Sequence, residues 1–196
     1  MRGRLPRLLA EAALFLLALL AAPHLGALWG GLFPEVSRPV WTSESWFVLL
    51  GSHLALSLGA ALAATALGLA AGVLASRPAG RRLRPLLDAL FSLAQSVPPV
   101  AVIALALPLL GFGAAPTLLA LVLYAALPVM RAAAGGLDAV PGPVRDAAQG
   151  LGLGPARQLF QVELPLALPV ILSGLRIAVV LSIATAAVGA VAGARC

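Results

Sequence analysis

Residues 140–176 read VPGPVRDAAQGLGLGPARQLFQVELPLALPVILSGLR. Pro141 and Pro143 open this stretch, and 144–150 has helix-forming composition. Gly150, Gly152, Gly154 and Pro155 make a turn, and a second helical stretch follows over 156–163. Pro165 and Pro169 are expected to end that stretch and redirect the chain into the apolar run beyond. The segment 135–165 is the only sizeable hydrophilic block in the sequence. A helix, a glycine turn and a second helix in that setting form a protrusion, a natural surface for a soluble partner.

On either side the sequence is oily. Of 196 residues, 61% are hydrophobic and 10% charged, against roughly 45–50% and about 25% in soluble domains. So few charges could not keep that much apolar surface in water, so lipid must solvate much of the chain. A membrane helix needs about 20 apolar residues. Five segments meet or approach that length: about 8–29, 47–75, 86–112, 117–134 and 171–194. Arg2, Arg4 and Arg7 before the first run give the order of a secretory signal peptide. That run continues past Pro23 to Phe33, so a membrane helix is the preferred reading and a cleaved leader the minor one.

All 13 basic residues are arginine, and the formal net charge is +6. Nucleic-acid binders concentrate such charge on one face among polar and aromatic residues. Here the arginines lie in short loops between apolar runs, so no nucleic-acid partner is expected and the charge reports topology. With the N-terminus in the cytoplasm, Arg2, Arg4, Arg7, Arg77, Arg81, Arg82, Arg84, Arg131, Arg145 and Arg157 fall inside. Arg38 alone falls in an outer loop, Arg176 near the inner mouth of the fifth helix, and Arg195 at the outer tail, mildly against the rule. The loop 33–46, with Pro34, Pro39, Trp41 and Trp46, suits an external interfacial segment. The segment 111–116 suits a tight external turn, with glycines for unusual backbone angles.

Two membrane segments carry internal signals. Gln95, Ser96, Pro98, Pro99 and Pro108 lie in the third, and the paired prolines predict a break near Pro98. Such a break lines a pathway or is a kink packed between helices; the sequence leaves both open. In the second, Gly68 and Gly72 read as close packing rather than as a specific dimer motif.

The block quoted first resembles the EAA loop of ABC importer permeases: Glu-Ala-Ala, three residues, Gly, nine residues, Ile, any residue, Leu-Pro. Here Asp146, Ala147 and Ala148 precede Gly152 by that spacing, and Val162, Leu164 and Pro165 stand at the far end. Asp for Glu and Val for Ile are the only departures. Gln95-Ser96-Val97-Pro98-Pro99, the turn 107–113, Tyr124-Ala125-Ala126-Leu127-Pro128 and the run 162–169 resemble the permeases for glycine betaine, choline, carnitine and related osmoprotectants. The likeness covers roughly 47–193.

The resemblance implies an all-α, polytopic transmembrane bundle of the type I importer permease kind, with about five membrane helices, in a bacterial inner membrane. It implies an ABC ATPase subunit, a periplasmic or lipoprotein substrate-binding protein, and a second permease subunit, identical or homologous, as partners. Asp146 would offer charge and hydrogen bonds near the glycine turn; Ala147 and Ala148 would permit close approach of the ATPase; Gly152 would supply the turn. The implied cargo is glycine betaine, choline or a similar quaternary amine. Aromatic cages bind such cations, and with aromatics at 5% selectivity is expected mainly in the binding protein. An amino-acid permease, as for methionine, is the runner-up. A proton-coupled secondary transporter would need internal repeats and paired intramembrane acids, and a non-transporting scaffold would need no spaced motif.

The chain is not expected to be the motor. A phosphate-binding P-loop requires lysine, and lysine is absent. No catalytic residue, cofactor or metal is expected: Cys196 is the sole cysteine, and His24 and His53 lie on different helices without a matching ligand set. Glu11 is expected to snorkel, Asp88 to join an interfacial ion pair, His53 to be wet, and Arg176 to anchor at the headgroups. By regions, 1–46 is an N-terminal helix with an external loop, and 47–196 the permease domain with its loop at about 138–165. Permeases of this kind continue into another helix after a glycine-rich stretch such as 188–193, so a shortened C-terminus is expected.

Overall fold

The computed structural model describes residues 4–36 and 44–194. Arg2, Arg38, Pro39, Trp41, Arg195 and Cys196, used in the topology above, lie outside the described residues. Every regular element among the described residues is helical. The contacts divide the chain into two units, Met1–Ser52 and His53–Cys196.

In the first unit, helix α1 (Arg4–Ala21) gives way to a three-ten turn, Ala22–Leu25, and helix α2 (Gly26–Leu32) follows. Pro23 stands at the start of that turn and lacks an amide donor, so the expected first span is two helices rather than one. Leu8, Leu9, Leu14, Leu16, Leu17 and Leu20 are all exposed along α1. Such a surface is stable in lipid and costly in water. Trp29 stacks on Phe33 with ring centroids 5.9 Å apart. Helix α3 (Trp46–Ser76) begins in this unit and runs for 31 residues.

The second unit is built around helix α6 (Ala114–Asp138), which packs along helix α9 (Leu164–Ala186) and receives helices α4 (Arg84–Ser96) and α5 (Pro99–Leu110). Its interior is rich in alanine, with a few larger side chains such as Ile103, Leu121, Met130 and Leu137. Ala64, Ala125, Ala126, Val129 and Ala178 form one cluster; Ala133, Leu137, Ala167 and Ile171 form another. A methyl placed on Gly68 would lie 2.6 Å from the Ala126 carbonyl oxygen, and one on Gly72 would lie 2.5 Å from Ala133 Cβ. Gly174 of α9 is equally tight, 2.5 Å from Ala132 Cβ. Lipid is as apolar as leucine, so helices in it are held by close van der Waals contact, which small residues permit. The packing reading of Gly68 and Gly72 agrees with this contact.

The third segment breaks where the prolines stand. Val97 is extended at φ −79° and ψ 126°, Pro98 follows, and the arms on either side meet at 93°. The loop joining α5 to α6 has Gly111 at φ 73° and Gly113 at φ 130°, backbone angles that favour glycine. Among the described residues, three helices are long and apolar enough to cross a membrane, or four with the bent pair as one span. That is fewer than the five expected. The reason is local: α1 carries Arg4, Arg7 and Glu11 within its 18 residues.

Helix α7 (Gly142–Gly150) and helix α8 (Pro155–Gln158) follow α6. The expected stop at Pro165 and Pro169 does not occur. A π-helical turn, Leu159–Glu163, joins α8 directly to α9, giving one helical run, Pro155–Ala192. The wide π-turn loosens the backbone ladder just ahead of Pro165 and displaces the carbonyl its ring would strike. Pro165 thus follows the π-turn as the second residue of α9, and Pro169 is carried inside the helix.

Candidate functional site

The spaced motif folds into a helix, a glycine turn and a short second helix, together a hairpin. At the end of α7, the Gly152 amide donates to the Gln149 carbonyl at 2.9 Å and the Leu153 amide to the Ala148 carbonyl at 3.1 Å. These paired bonds close the helix when the intervening residue is left-handed, and Gly152 has φ 78°. The sequence requirement for glycine here is therefore conformational. Asp146 and Ala147 are exposed, and Ala148 is buried beneath them. Leu151 and Phe160 are also exposed, at 83% and 67%. The hairpin thus offers one acid and two large apolar side chains on its surface. Val162 and Leu164 are half-buried and Pro165 is exposed, so this end of the motif joins the hairpin to α9.

A buried carboxylate fastens the hairpin to the helices. Glu163 is 1% exposed. Arg77, just beyond α3, donates to Glu163 Oε2 and forms an ion pair with it. Arg145 Nε lies 3.3 Å from Oε1, and Gln158 Nε2 donates to the same oxygen at 3.0 Å. Arg145 also donates to the Leu137 carbonyl near the end of α6. One side chain thereby connects α3, α6, α7 and the π-turn. A cavity of about 560 Å³ opens beside it, lined by Arg77, Arg81, Arg145, Gln149, Gln158 and Glu163 among others. Arg77 and Arg145, expected from the sequence only as topological charges, and Glu163, the free position of the motif, are thus brought together. An acid at the edge of a long apolar run was the signal available.

The other predicted residues lie at the helix break. Gln95 Nε2 donates to the Tyr124 carbonyl at 3.0 Å and pins α4 to α6. Gln95 also lines a groove of about 380 Å³ with Pro128, Arg131, Ser173 and Ile177. Ser96 turns back to the Leu93 carbonyl at 2.7 Å. Ser96, Pro98 and Pro99 shape the break rather than line this groove. Asp88 does join an ion pair, with Arg131 at 2.9 Å, and Arg131 also reaches Ser92 at 2.9 Å. Arg84 pairs with Asp138. His53 Nε2 lies 3.0 Å from the Ile183 carbonyl oxygen. Arg176 stands in the middle of α9 (Leu164–Ala186).

No group of three or more metal-ligating side chains occurs among the described residues.

The family model described as "Binding-protein-dependent transport system inner membrane component" matches residues 64–195. The osmoprotectant import permease protein OsmY of Salmonella typhimurium is 39% identical over 142 residues, covering 72% of this chain and 60% of that protein. The choline transport system permease protein OpuBD of Bacillus subtilis is 34% identical over 144 residues, covering 74% and 63%. This chain spans about three-fifths of the length of the relatives it matches. A chain of the inward-facing MetNI methionine ABC transporter superposes with a TM-score of 0.65 at 23% identity, over 76% of this chain and 77% of that one. That likeness concerns the fold.

Proposed function

Since the chain belongs to the family of binding-protein-dependent transport system inner membrane components, we propose that it is the permease subunit of an ATP-driven importer of small quaternary amines. The observation that carries this reading is the hairpin. It is closed by backbone bonds at its turn, exposed at Asp146, Leu151 and Phe160, and tied through Glu163 and its arginines to the ends of α3 and α6. A partner that pushed on the hairpin would move the helices, not merely bend a loop. This is what an alternating-access cycle needs from a coupling element.

In this reading the hairpin lies in the cytoplasm and docks on a separate ATPase subunit. Without lysine the chain cannot build a P-loop, so the nucleotide chemistry belongs to that partner. Solute reaches the outer face on a substrate-binding protein, and a second permease subunit completes the pathway. The names of the relatives, osmoprotectant and choline permeases, support glycine betaine, choline or a similar amine as cargo. The likeness to the methionine transporter bears on architecture and does not move the cargo assignment.

The test is reconstitution in lipid with a cognate ATPase and binding protein. Glycine betaine or choline should stimulate ATP hydrolysis only when the binding protein is present. Stimulation by methionine and by neither amine would overturn the cargo; failure of the intact chain to retain any ATPase would overturn the importer reading.

A further inference from the structure

Arg176 is an unusual residue for its position. Gly174, two residues before it, packs against Ala132 and the Pro128 carbonyl of α6. Gly136 meets Ala167, and Gly189 meets Thr117, so α9 runs antiparallel to α6. Arg176 is therefore level with about Pro128, near the middle of α6. From there to Asp138, at the end of α6, is ~15 Å at ~1.5 Å per residue. With α6 crossing a hydrocarbon layer of ~30 Å from end to end, Arg176 would stand about half-way through it. An arginine at that depth must face protein or a water-filled cavity.

The side chain is exposed and has no hydrogen bond or ion pair among the described residues. It borders a hollow of about 410 Å³ with Ser173, Ile177, Val180 and Leu181. Three of these, Ser173, Ile177 and Leu181, also line the groove that holds Gln95 and Arg131. Every acid of the second unit in the membrane-spanning helices or at their ends is already engaged: Asp88 with Arg131, Asp138 with Arg84, and Glu163 with Arg77 and Arg145. Asp146 lies on the hairpin. Among the described residues the hollow beside Arg176 therefore offers a free cation next to Ser173, whose hydroxyl donates to the Val170 carbonyl at 2.6 Å, and this unit supplies no anion to meet the guanidinium.

We propose that Arg176 is a recognition point for the carboxylate of the cargo as it crosses the membrane. This rests on the importer reading above and refines it: the pathway would favour zwitterions carrying both a quaternary ammonium and a carboxylate, such as glycine betaine, over choline, which has no carboxylate. The planar guanidinium suits a carboxylate by paired N–H donors. The cationic end of the zwitterion is left to the apolar wall of Ile177 and Leu181, which does not repel it.

The experiment measures uptake of labelled glycine betaine and labelled choline by the reconstituted importer with wild type, Arg176→Gln and Arg176→Lys. Arg176→Gln should lower betaine uptake at least tenfold and choline uptake less than twofold, with ATPase retention unchanged. Arg176→Lys should restore most of the betaine uptake. Equal loss of both solutes, as expected of an arginine that pairs with a neighbouring subunit, would overturn the proposal, and so would no loss of either. If the wild type moves neither amine, the cargo assignment fails and this proposal with it; if the wild type moves both and the ratio is unchanged in the variants, this proposal alone fails.

Discussion

Arg77 and Glu163 are 86 residues apart in the chain, yet they form an ion pair in which the glutamate side chain is 2% exposed and the arginine 30%. The pair ties the end of α3 to the π-turn that begins the descent into α9. A buried charge stripped of its partners is strongly unfavourable, whereas the intact pair contributes modestly.

Glu163→Ala should therefore destabilise the protein by about 2–3 kcal/mol, below the range for fully buried pairs because both arginines are partly in solvent. Glu163→Gln keeps the size and a hydrogen-bond acceptor for Gln158, and should cost about half as much. Thermal unfolding in detergent checks the order. Wild-type midpoints for both variants would show that the cluster does not hold the hairpin.

Two glycines of the hairpin differ in why they are glycine. Gly152 has φ 78° and open space within 4 Å of where a methyl would stand, while Gly154 has φ −67° and is equally open. A side chain at 152 meets no neighbour but strains the backbone, by about 1 kcal/mol for alanine. One at 154 is free of both penalties. Gly152→Ala should weaken retention of the ATPase and Gly154→Ala should not; co-purification decides, and equal behaviour of the pair would separate the turn geometry from docking.

Much of this was legible in the residues. Paired prolines at 98 and 99 remove consecutive amide donors, and the bend of 93° stands there. Small residues along α3 marked a tight helix contact, and the positions of Asp146 and Gly152 marked a turn. The misreadings share a physical cause: each depended on something distant in sequence. Pro165 and Pro169 look like stops until the π-turn ahead of them is seen to accommodate the first. The continuous helix that results passes through Pro165 and Pro169 without a stop, so Arg176 stands in the middle of α9 rather than near its start. The partners of Glu163 come from three different elements, and no local pattern in 156–163 could have named them.

The glycines at helix contacts give a sharper test of packing. Gly174→Ala places a methyl 2.5 Å from Ala132 Cβ and 2.8 Å from the Pro128 carbonyl oxygen, so α9 must move away from α6. Overpacking of this kind costs roughly 1–3 kcal/mol. Gly59→Ala, on α3 with nothing within 4 Å, should be neutral or slightly stabilising through helix propensity. Unfolding midpoints in one detergent rank the two, and a neutral Gly174→Ala would mean that α6 and α9 are less closely packed than these contacts require.

Asp146 separates docking from folding. It is exposed on α7, and no side-chain bond holds it among the described residues, so replacing it removes no native contact. Surface substitutions of this kind stay within about 0.5 kcal/mol of wild type. Yet reversing the charge puts an arginine at the centre of the proposed contact with the ATPase, where an unpaired like or misplaced charge costs several kcal/mol of binding. Asp146→Arg should therefore unfold at the wild-type temperature while losing the ATPase on co-purification. The paired readout matters, because loss of both would only report a damaged fold. Retention of the ATPase by a folded Asp146→Arg protein would place the docking surface elsewhere on the hairpin, with Leu151 and Phe160 the next residues to replace.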